Sequence, residues 1–474
     1  GGESGFATAD PKDPDVVWSS ASGYGPLGGI VTRYNEKNNQ FRQLEVWPEF
    51  TAGSHAALLK YRFQWTFPLL ISPHDNKTIY VTSQHVHRTT NDGQSWDVIS
   101  PDLSLNDKSM QGFSGGLTGD NIAVEYANVI YAFDESPVKK GILWAGTNDG
   151  LVHISKDNGD TWTNVTKNIP NLPKLGVVRN IEASRWNEGK AYLTIEFHQV
   201  GNFEPYVYKT ENFGKSWKKI TAGIKEGNLS YTRCVKEDPV KEGLLYLGTE
   251  NKLYVSFNDG ENWQEMMSNL PHAPMYWIDI QEHFNDLVLG TYGRGIWILD
   301  DISPLQQMDE NIVKKDIHLF DIKPSYRFHN VTSSLQMFPE ASTGADPPNG
   351  ASINYWLKES QQNVKIIITD SNSDTIKTIN EKGSKGINRL WWDFKGESTD
   401  EIILRTKPQF AEWVSLGDER KRKLPFSISI MSPPGVYNIN LILGDEVVTK
   451  SLEVMKDPHS DGDMEDIMLQ DNLM

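Results

Sequence analysis

The sequence holds one cysteine, Cys234, in 474 residues, so neither an internal disulfide framework nor a cysteine zinc site is available to it. Cys234 lies in an apolar-alternating stretch, where a small buried hydrophobe is the expected role. No apolar run approaches the roughly 18 residues that a membrane-spanning helix needs, and mean hydropathy is −0.50. Positive charge is short as well: 46 Lys and Arg face 63 Asp and Glu, a formal net charge of −17. That balance argues against nucleic acid or an anionic lipid surface as the main partner, because phosphate recognition requires a basic face. No Ser–His–Asp signature occurs. Gly115-Gly116-Leu117-Thr118-Gly119-Asp120 is glycine-rich, yet no helix follows to cradle a phosphate, so a turn is expected. His74, His85 and His87 fit no standard ligand spacing, so neither a metal nor a cofactor is expected.

What the chain does have is 15 Trp and 38 Gly, a mark of many short strands, tight turns and stacked aromatics. Its length exceeds one ordinary core and points to two or three domains.

Four segments share a pattern: Thr90-Asn91-Asp92-Gly93-Gln94-Ser95-Trp96, Ser155-Lys156-Asp157-Asn158-Gly159-Asp160-Thr161-Trp162, Lys209-Thr210-Glu211-Asn212-Phe213-Gly214-Lys215-Ser216-Trp217 and Ser256-Phe257-Asn258-Asp259-Gly260-Glu261-Asn262-Trp263. A carboxylate or amide caps such a turn through backbone N–H groups, glycine supplies the positive φ, and tryptophan plugs the repeat to its neighbour. The residues given this structural role are Asp92, Gly93 and Trp96; Asp157, Gly159 and Trp162; Gly214 and Trp217; and Asp259, Gly260 and Trp263. The third copy, with Glu211, Asn212 and Phe213 before its glycine, reads as degenerate. All four tryptophans are expected to be buried between blades. The turns recur at the same place in every unit and are therefore expected to be staples, not ligand sites.

Each box follows a stretch such as Gly141 to Gly150 or Gly243 to Glu250 and precedes a short strand such as Trp162 to Thr166. With an upstream strand the unit has four strands at a spacing of roughly 45–65 residues, a propeller blade. Two units lack the box, one from Gly5 to Val46 and one from Trp277 to Leu299, giving about six blades.

The boxes resemble the BNR or Asp-box repeats of sialidases and of the sortilin (VPS10) ectodomain. Tyr61-Arg62-Phe63-Gln64-Trp65-Thr66-Phe67-Pro68, Ser83-Gln84-His85, Gly119-Asp120-Asn121 with Val124-Glu125-Tyr126, and Tyr292-Gly293-Arg294-Gly295-Ile296-Trp297-Ile298-Leu299-Asp300-Asp301 look like bacterial sortilin-like proteins, a branch often labelled "glycosyl hydrolase". The resemblance covers nearly the whole chain. It implies an extracytoplasmic protein (secreted, periplasmic or cell-surface) that binds a peptide, protein or glycan ligand. It also implies further propeller repeats beyond this chain, so additional propeller sequence or a partner chain is expected. The cysteine-rich module that follows the propeller in animal sortilins is absent.

From about Asp309 the register changes to short alternating strands with Gly, Pro, Asn and Ser turns: Ile353 to Leu357, Val364 to Thr369, Gly386 to Phe394, Phe426 to Ile430 and Gly435 to Leu443. These read as a fibronectin- or Ig-like β-sandwich. The expected all-β organisation is a propeller over 1–320, a linker over 321–350, a sandwich over 351–456 and an acidic tail over 457–474. Ile317 to Phe320 is open between closing the last blade and starting the linker. Pro408 to Leu424 reads as a charged insertion.

Function in a propeller gathers where inner-strand starts and second-to-third strand loops converge on the channel. That geometry selects Arg62, Gln64, Trp65, Gln84, His85, Asp120, Glu125, Tyr126, Arg179, Arg233, Tyr276, Tyr292 and Arg294 as ligand-binding candidates. Aromatics beside polar groups suit peptides, extended protein segments or sugar rings. Structural pairing of these groups across the channel is the competing reading. A sialidase needs three arginines, an acid and a Tyr–Glu pair. Arg62, Arg179, Arg233 and Arg294 stand on different units and Glu125 neighbours Tyr126, but the family's Phe/Tyr-Arg-Ile-Pro motif is missing. A two-carboxylate glycosidase would draw on pairs among Asp120, Glu125, Glu182, Glu196 and Glu250, and its carboxyl separation is not legible in a sequence. Binding on the top face and channel is the favoured function, with a glycoside hydrolase of sialidase-like fold as the alternative.

Overall fold

A computed structural model describes residues 5–21, 29–115, 117, 121, 125–328, 344, 346–398 and 429–473. The chain divides into two compact units, Gly1–Leu299 and Asp300–Met474.

The first unit is a β-propeller. Five four-stranded antiparallel sheets and one three-stranded sheet follow one another along the chain, and their inner strands adjoin in sequence order. Blade 1 is Ala7–Asp10, Asp13–Ala21, Ile30–Asn35 and Gln40–Glu45. Blade 2 is Leu69–Ile71, Ile79–Thr82, Val86–Thr89 and Asp97–Val98. Blade 3 is Ile130–Glu135, Leu143–Thr147, Val152–Ser155 and Thr163–Asn164. Blade 4 is Val177–Ala183, Ala191–Glu196, Val207–Thr210 and Lys218–Lys219. Blade 5 is Thr232–Glu237, Leu245–Thr249, Leu253–Ser256 and Gln264–Glu265. Blade 6 has three strands, Met275–Gln281, Asp286–Thr291 and Ile296–Leu299. Among the described residues the propeller contains no α-helix. Second and third strands of blades 2 to 5 are almost wholly buried runs such as Leu143–Thr147, because both faces of an inner blade pack on neighbours.

The boxes link third to fourth strands in blades 2 to 5, and all four close alike. A hydroxyl (Thr89, Ser155, Thr210, Ser256) accepts from the box glycine N–H at 2.9–3.1 Å. An Asx side chain two residues on accepts from the N–H four residues further, at 2.9–3.0 Å. That cap is Asn91, Asp157, Asn212 and Asn258. The expected caps Asp92 and Asp259 instead occupy the adjacent left-handed position, at φ 57° and 59°. The third box is therefore regular in geometry, with Phe213 in that left-handed slot at φ 59°. Its glycine has two reasons to be glycine: positive φ, and a Cβ that would collide with the preceding blade. At Gly93, Gly159, Gly214 and Gly260 that atom would lie 2.4–2.9 Å from Leu44, Ile99, Val165 and Ile220. The tryptophans follow the same direction, each onto the preceding blade. Trp217 stacks edge-on against Trp144, and Trp263 Nε1 donates to the Ile220 carbonyl at 2.8 Å. Trp217 and Trp263 are buried, whereas Trp96 and Trp162 are half-buried. Cys234 is buried and its thiol is pushed up to about 12 by burial, which keeps it inert at neutral pH.

The second unit is a β-sandwich. A three-stranded sheet (Ile317–Leu319, Ala351–Leu357, Gly386–Trp392) faces a five-stranded one with strand order Ser325–Arg327, Glu446–Lys456, Gly435–Leu443, Gln361–Thr369, Thr375–Gly383. Ile353, Tyr355, Ile366, Trp392, Ile439 and Leu452 form its core. Ile317–Leu319 pairs with Ala351–Leu357, so it neither closes the last blade nor lies in a linker, and the propeller unit ends at Leu299, not 320. The stretch after Asp457 forms the helix Met464–Leu473. Phe426 to Ile428 of an expected strand, and the whole expected insertion Pro408 to Leu424, lie outside the described residues. No helix among the described residues is long and apolar enough to cross a membrane.

Candidate functional site

In blades 3 to 6 the inner strand carries one extra residue opposite its partner strand. The register jumps from Ile130 to Ala132, Val178 to Asn180, Thr232 to Cys234 and Met275 to Trp277. The bulged residues are Tyr131, Arg179, Arg233 and Tyr276. A bulge turns its side chain out of the alternation that packs blade on blade, and here the four equivalent side chains meet around the propeller axis.

Their contacts form one network. Arg233 donates to Glu196 Oε2 at 2.5 Å and to Glu250 Oε2 at 2.6 Å and 2.8 Å. Arg179 donates to the Tyr131 hydroxyl at 2.7 Å and lies 3.9 Å from Glu196 Oε1. Both guanidinium groups lie against the Tyr276 ring, at 4.7 Å and 4.8 Å from its centroid. Tyr276 in turn stacks on Tyr292 at 5.5 Å, and Tyr231 stacks on His198 at 4.8 Å. Tyr292 is 70 % exposed, so the network opens to solvent on an aromatic ring.

Three residues further along the same strands lies a second layer: Asp134, Glu182, Lys236 and Asp279. Asp134 accepts the Ala183 N–H at 2.8 Å, and Glu182 accepts Lys236 Nζ and the Glu237 N–H at 3.3–3.4 Å. Each carboxylate thus serves the inner strand of the next blade. Burial raises the carboxyls of Asp134 and Glu182, and the mutual repulsion of the two adds to it for Asp134. Burial works against the charge of Lys236, but Glu182, Asp279 and Asp134 together hold its pKa above the ordinary value.

Of the residues selected from sequence, Arg179, Arg233, Tyr276 and Tyr292 come together with Glu196 and Glu250. The others do not join them. Arg62 is buried at the seam of blades 2 and 3, donating to the Asn128 carbonyl, Asp102 and Ser104. Gln84 is spent on the Lys60 carbonyl and the Arg62 N–H. Gln64 holds the Tyr126 carbonyl and the Trp65 N–H, and His85 bonds the Ser100 carbonyl. Trp65 Nε1 donates to Glu125, which is exposed, while Tyr126 is buried with its hydroxyl on Thr51 and Ser54. Glu125 and Tyr126 therefore point apart and make no nucleophile pair. Arg294 is exposed, and Asp120 lies outside the described residues. Tyr131, Asp134, Lys236 and Asp279 escaped the sequence reading. Aligning the repeats on their inner strands would have found Tyr131, which holds the place of Arg179 and Arg233.

Residues 150–292, from the turn before the third strand of blade 3 to the end of the second strand of blade 6, match the family model described as sortilin, neurotensin receptor 3. The sortilin-like resemblance of the sequence is borne out over that span. No curated protein matches the chain by sequence. Among solved structures, a GH74 xyloglucanase from Xanthomonas campestris is similar at 18 % identity over 67 % of this chain and 48 % of its own, with a TM-score of 0.45. An ancestral GH74 enzyme is similar at 14 % identity over 96 % of this chain and 62 % of its own, with a TM-score of 0.44. YCF48 bound to D1 peptide is similar at 13 % identity over 62 % of this chain and 95 % of its own, with a TM-score of 0.28. The chain spans about half the length of the xyloglucanase. At these identities neither activity nor partner passes from those proteins to this one.

Proposed function

We propose that the propeller is an extracytoplasmic binding module that takes an extended peptide or protein segment over the mouth of its channel. The observation that carries this reading is the shared guanidinium of Arg233. A glycosidase of either stereochemistry needs one carboxyl as acid and a second as nucleophile or base. Glu196 and Glu250 both spend acceptor positions on Arg233, with Arg179 beside the first. The two carboxyls are thus fixed to one guanidinium as a structural ion-pair cluster, not set apart as a separate acid and base. What remains open to a ligand is stacked aromatic surface, Tyr276 and Tyr292, backed by the unspent donors of Arg179. Rings beside fixed donors suit an extended chain, where stacking supplies affinity and hydrogen bonding sets register. The extracytoplasmic setting rests on the resemblance to sortilin-like proteins.

The test is selection of a random linear peptide library on the immobilised protein, with Tyr292→Ala and Tyr276→Ala in parallel. Peptides are expected whose affinity falls by about tenfold in each variant, equivalent to about 1.4 kcal/mol. The reading fails if no peptide depends on these rings, or if polysaccharides are cleaved with a rate that Glu250→Gln abolishes.

A further inference from the structure

The five-stranded sheet of the sandwich ends on a pair of like charges. Ser325–Arg327 runs parallel to Glu446–Lys456, and the register sets Arg327 beside Lys456 at the end of both strands. Neighbours across a strand pair share one face of the sheet, where two cations repel and weaken the pairing. On an exposed edge water and salt would screen that repulsion. Here both residues are half-buried, and Nε of Arg327 is fully buried without an acceptor. Lower polarity around the pair strengthens the repulsion.

Elsewhere the protein answers its enclosed cations with carboxylates: Glu196 and Glu250 on Arg233, Glu182 on Lys236, Asp102 on Arg62. Among the described residues, Arg327 and Lys456 have no such partner. Arg327 reaches the Met431 carbonyl through Nη2 at a long 3.5 Å, and Lys456 Nζ donates to the Ser460 carbonyl at 2.7 Å. An arginine has five donor hydrogens and a lysine three, so most of this donor capacity is unspent. Both side chains line a cavity of about 220 Å³, together with Ser460, Gly462, Asp457 and Asp466. Sites that enclose a drug-sized ligand run to roughly 300–1,000 Å³, so this cavity suits one small group. Neither carboxylate of the lining answers the cations. Asp457 accepts the His459 N–H at 2.9 Å, and Asp466 is exposed in the first turn of the helix Met464–Leu473.

We infer that this cavity of the sandwich binds one tetrahedral oxyanion, a sulfate or phosphate group, between Arg327 and Lys456. A divalent oxyanion offsets both cations at once and turns a repulsive strand pair into a bridged one. Its oxygens point in several directions, so they accept from the guanidinium fork and the ammonium together. A carboxylate carries one charge and leaves half of the repulsion in place. Asp466 at the rim opposes the anion and limits how tightly it is held.

The probes are inorganic sulfate and glucose 6-sulfate, offered to the full chain at constant ionic strength made up with chloride. The readout is acylation of Lys456 by a lysine-selective reagent, located by peptide mass spectrometry. Sulfate is expected to slow labelling of Lys456 while the other lysines keep their rates. Arg327→Gln is expected to raise the half-protecting concentration by about tenfold or more, the loss of one charge-assisted hydrogen bond. Asp466→Asn, at an exposed position that leaves the fold intact, is expected to lower it by about twofold. Stronger protection by glucose 6-sulfate assigns the site to a sugar-borne ester, and stronger protection by inorganic sulfate assigns it to the free ion; either upholds it. Absence of protection, equal protection by chloride, protection unaltered by Arg327→Gln, or protection weakened by Asp466→Asn overturns the inference.

Discussion

His87 shows how a single buried group sets the response of this protein to acid. It stands on the third strand of blade 2, with Nε2 against the Ser83 hydroxyl at 2.8 Å and its ring between Tyr61 and Phe63. Burial, with His85 and Lys60 adding to it, pushes its pKa from 6.5 down to about 3. The unfolded chain therefore binds a proton that the folded chain refuses. Stability from this group is complete above about pH 6.5 and is lost as pH falls toward 3. Burial pushes His153 of blade 3 down to about 4, and it adds a contribution of the same sign. Asp134 has the opposite sign. Its raised carboxyl favours folding at low pH and loses that contribution as pH rises from the ordinary value of 3.8 through the folded one. Chemical denaturation of the parent and of His87→Gln across about pH 4 to 7.5 should show the parent losing about 2–4 kcal/mol more than the variant toward the acid end. Parallel pH profiles would show that the ring is not buried neutral.

The box turn is the element on which the propeller depends, and its glycine separates two costs that usually coincide. Gly260 has φ 80°, and an added Cβ would lie 2.4 Å from Ile220 of the preceding blade. Gly295, in the turn between the second and third strands of blade 6, has φ 73° with nothing within 4 Å. Gly295→Ala should cost about 1–2 kcal/mol, the backbone contribution alone. Gly260→Ala should cost about 2–4 kcal/mol, because displacement of Ile220 adds an overpacking cost. Equal losses by equilibrium unfolding would mean that the blade seam yields without resistance. The turn was legible in sequence because its chemistry is local: a hydroxyl, an Asx, two positive φ values and a tryptophan in eight residues. Its capping residue was not fully legible. Asn91-Asp92 and Asn258-Asp259 each offer two side chains that can cap, and only the backbone at φ 57° and 59° shows that the second of each pair is in the left-handed slot.

Across the whole molecule, the ring is unequal around its circumference. Blades 3, 4 and 5 are covered on both faces, and the large cores between them join Trp144, Leu193, Tyr208 and Trp217, or Leu245, Tyr254 and Trp263. Blade 6 is covered on one face. Native-state hydrogen exchange at neutral pH should grade accordingly, with the amides of Leu253 and Val255 protected at least about a hundredfold more than those of Ile296 and Ile298. Uniform protection across the two strands would show that blade 6 is covered in solution. The six-unit order of the propeller and the sandwich after it were both legible, since each strand announces itself by alternation and turn residues. The boundary was not. Ile317–Leu319 has the same apolar alternation whether it ends a blade or begins a sandwich, and only its pairing with Ala351–Leu357 assigns it.

The amino-acid sequence by itself determined the repeat, the turn chemistry and the division into an all-β propeller and sandwich. These follow from spacing within about ten residues, and the chain carries the spacing four times in its boxes. The channel network was decided only by tertiary structure. Arg62, Arg179, Arg233 and Arg294 look equivalent along the chain, yet two of them meet and two do not. The difference is the bulge that turns Arg179 and Arg233 toward the axis, while Arg62 is bound within a blade seam. A bulge is a property of two paired strands, and the charge that answers each arginine comes from another strand or another blade. Neither is written in the neighbourhood of the residue itself.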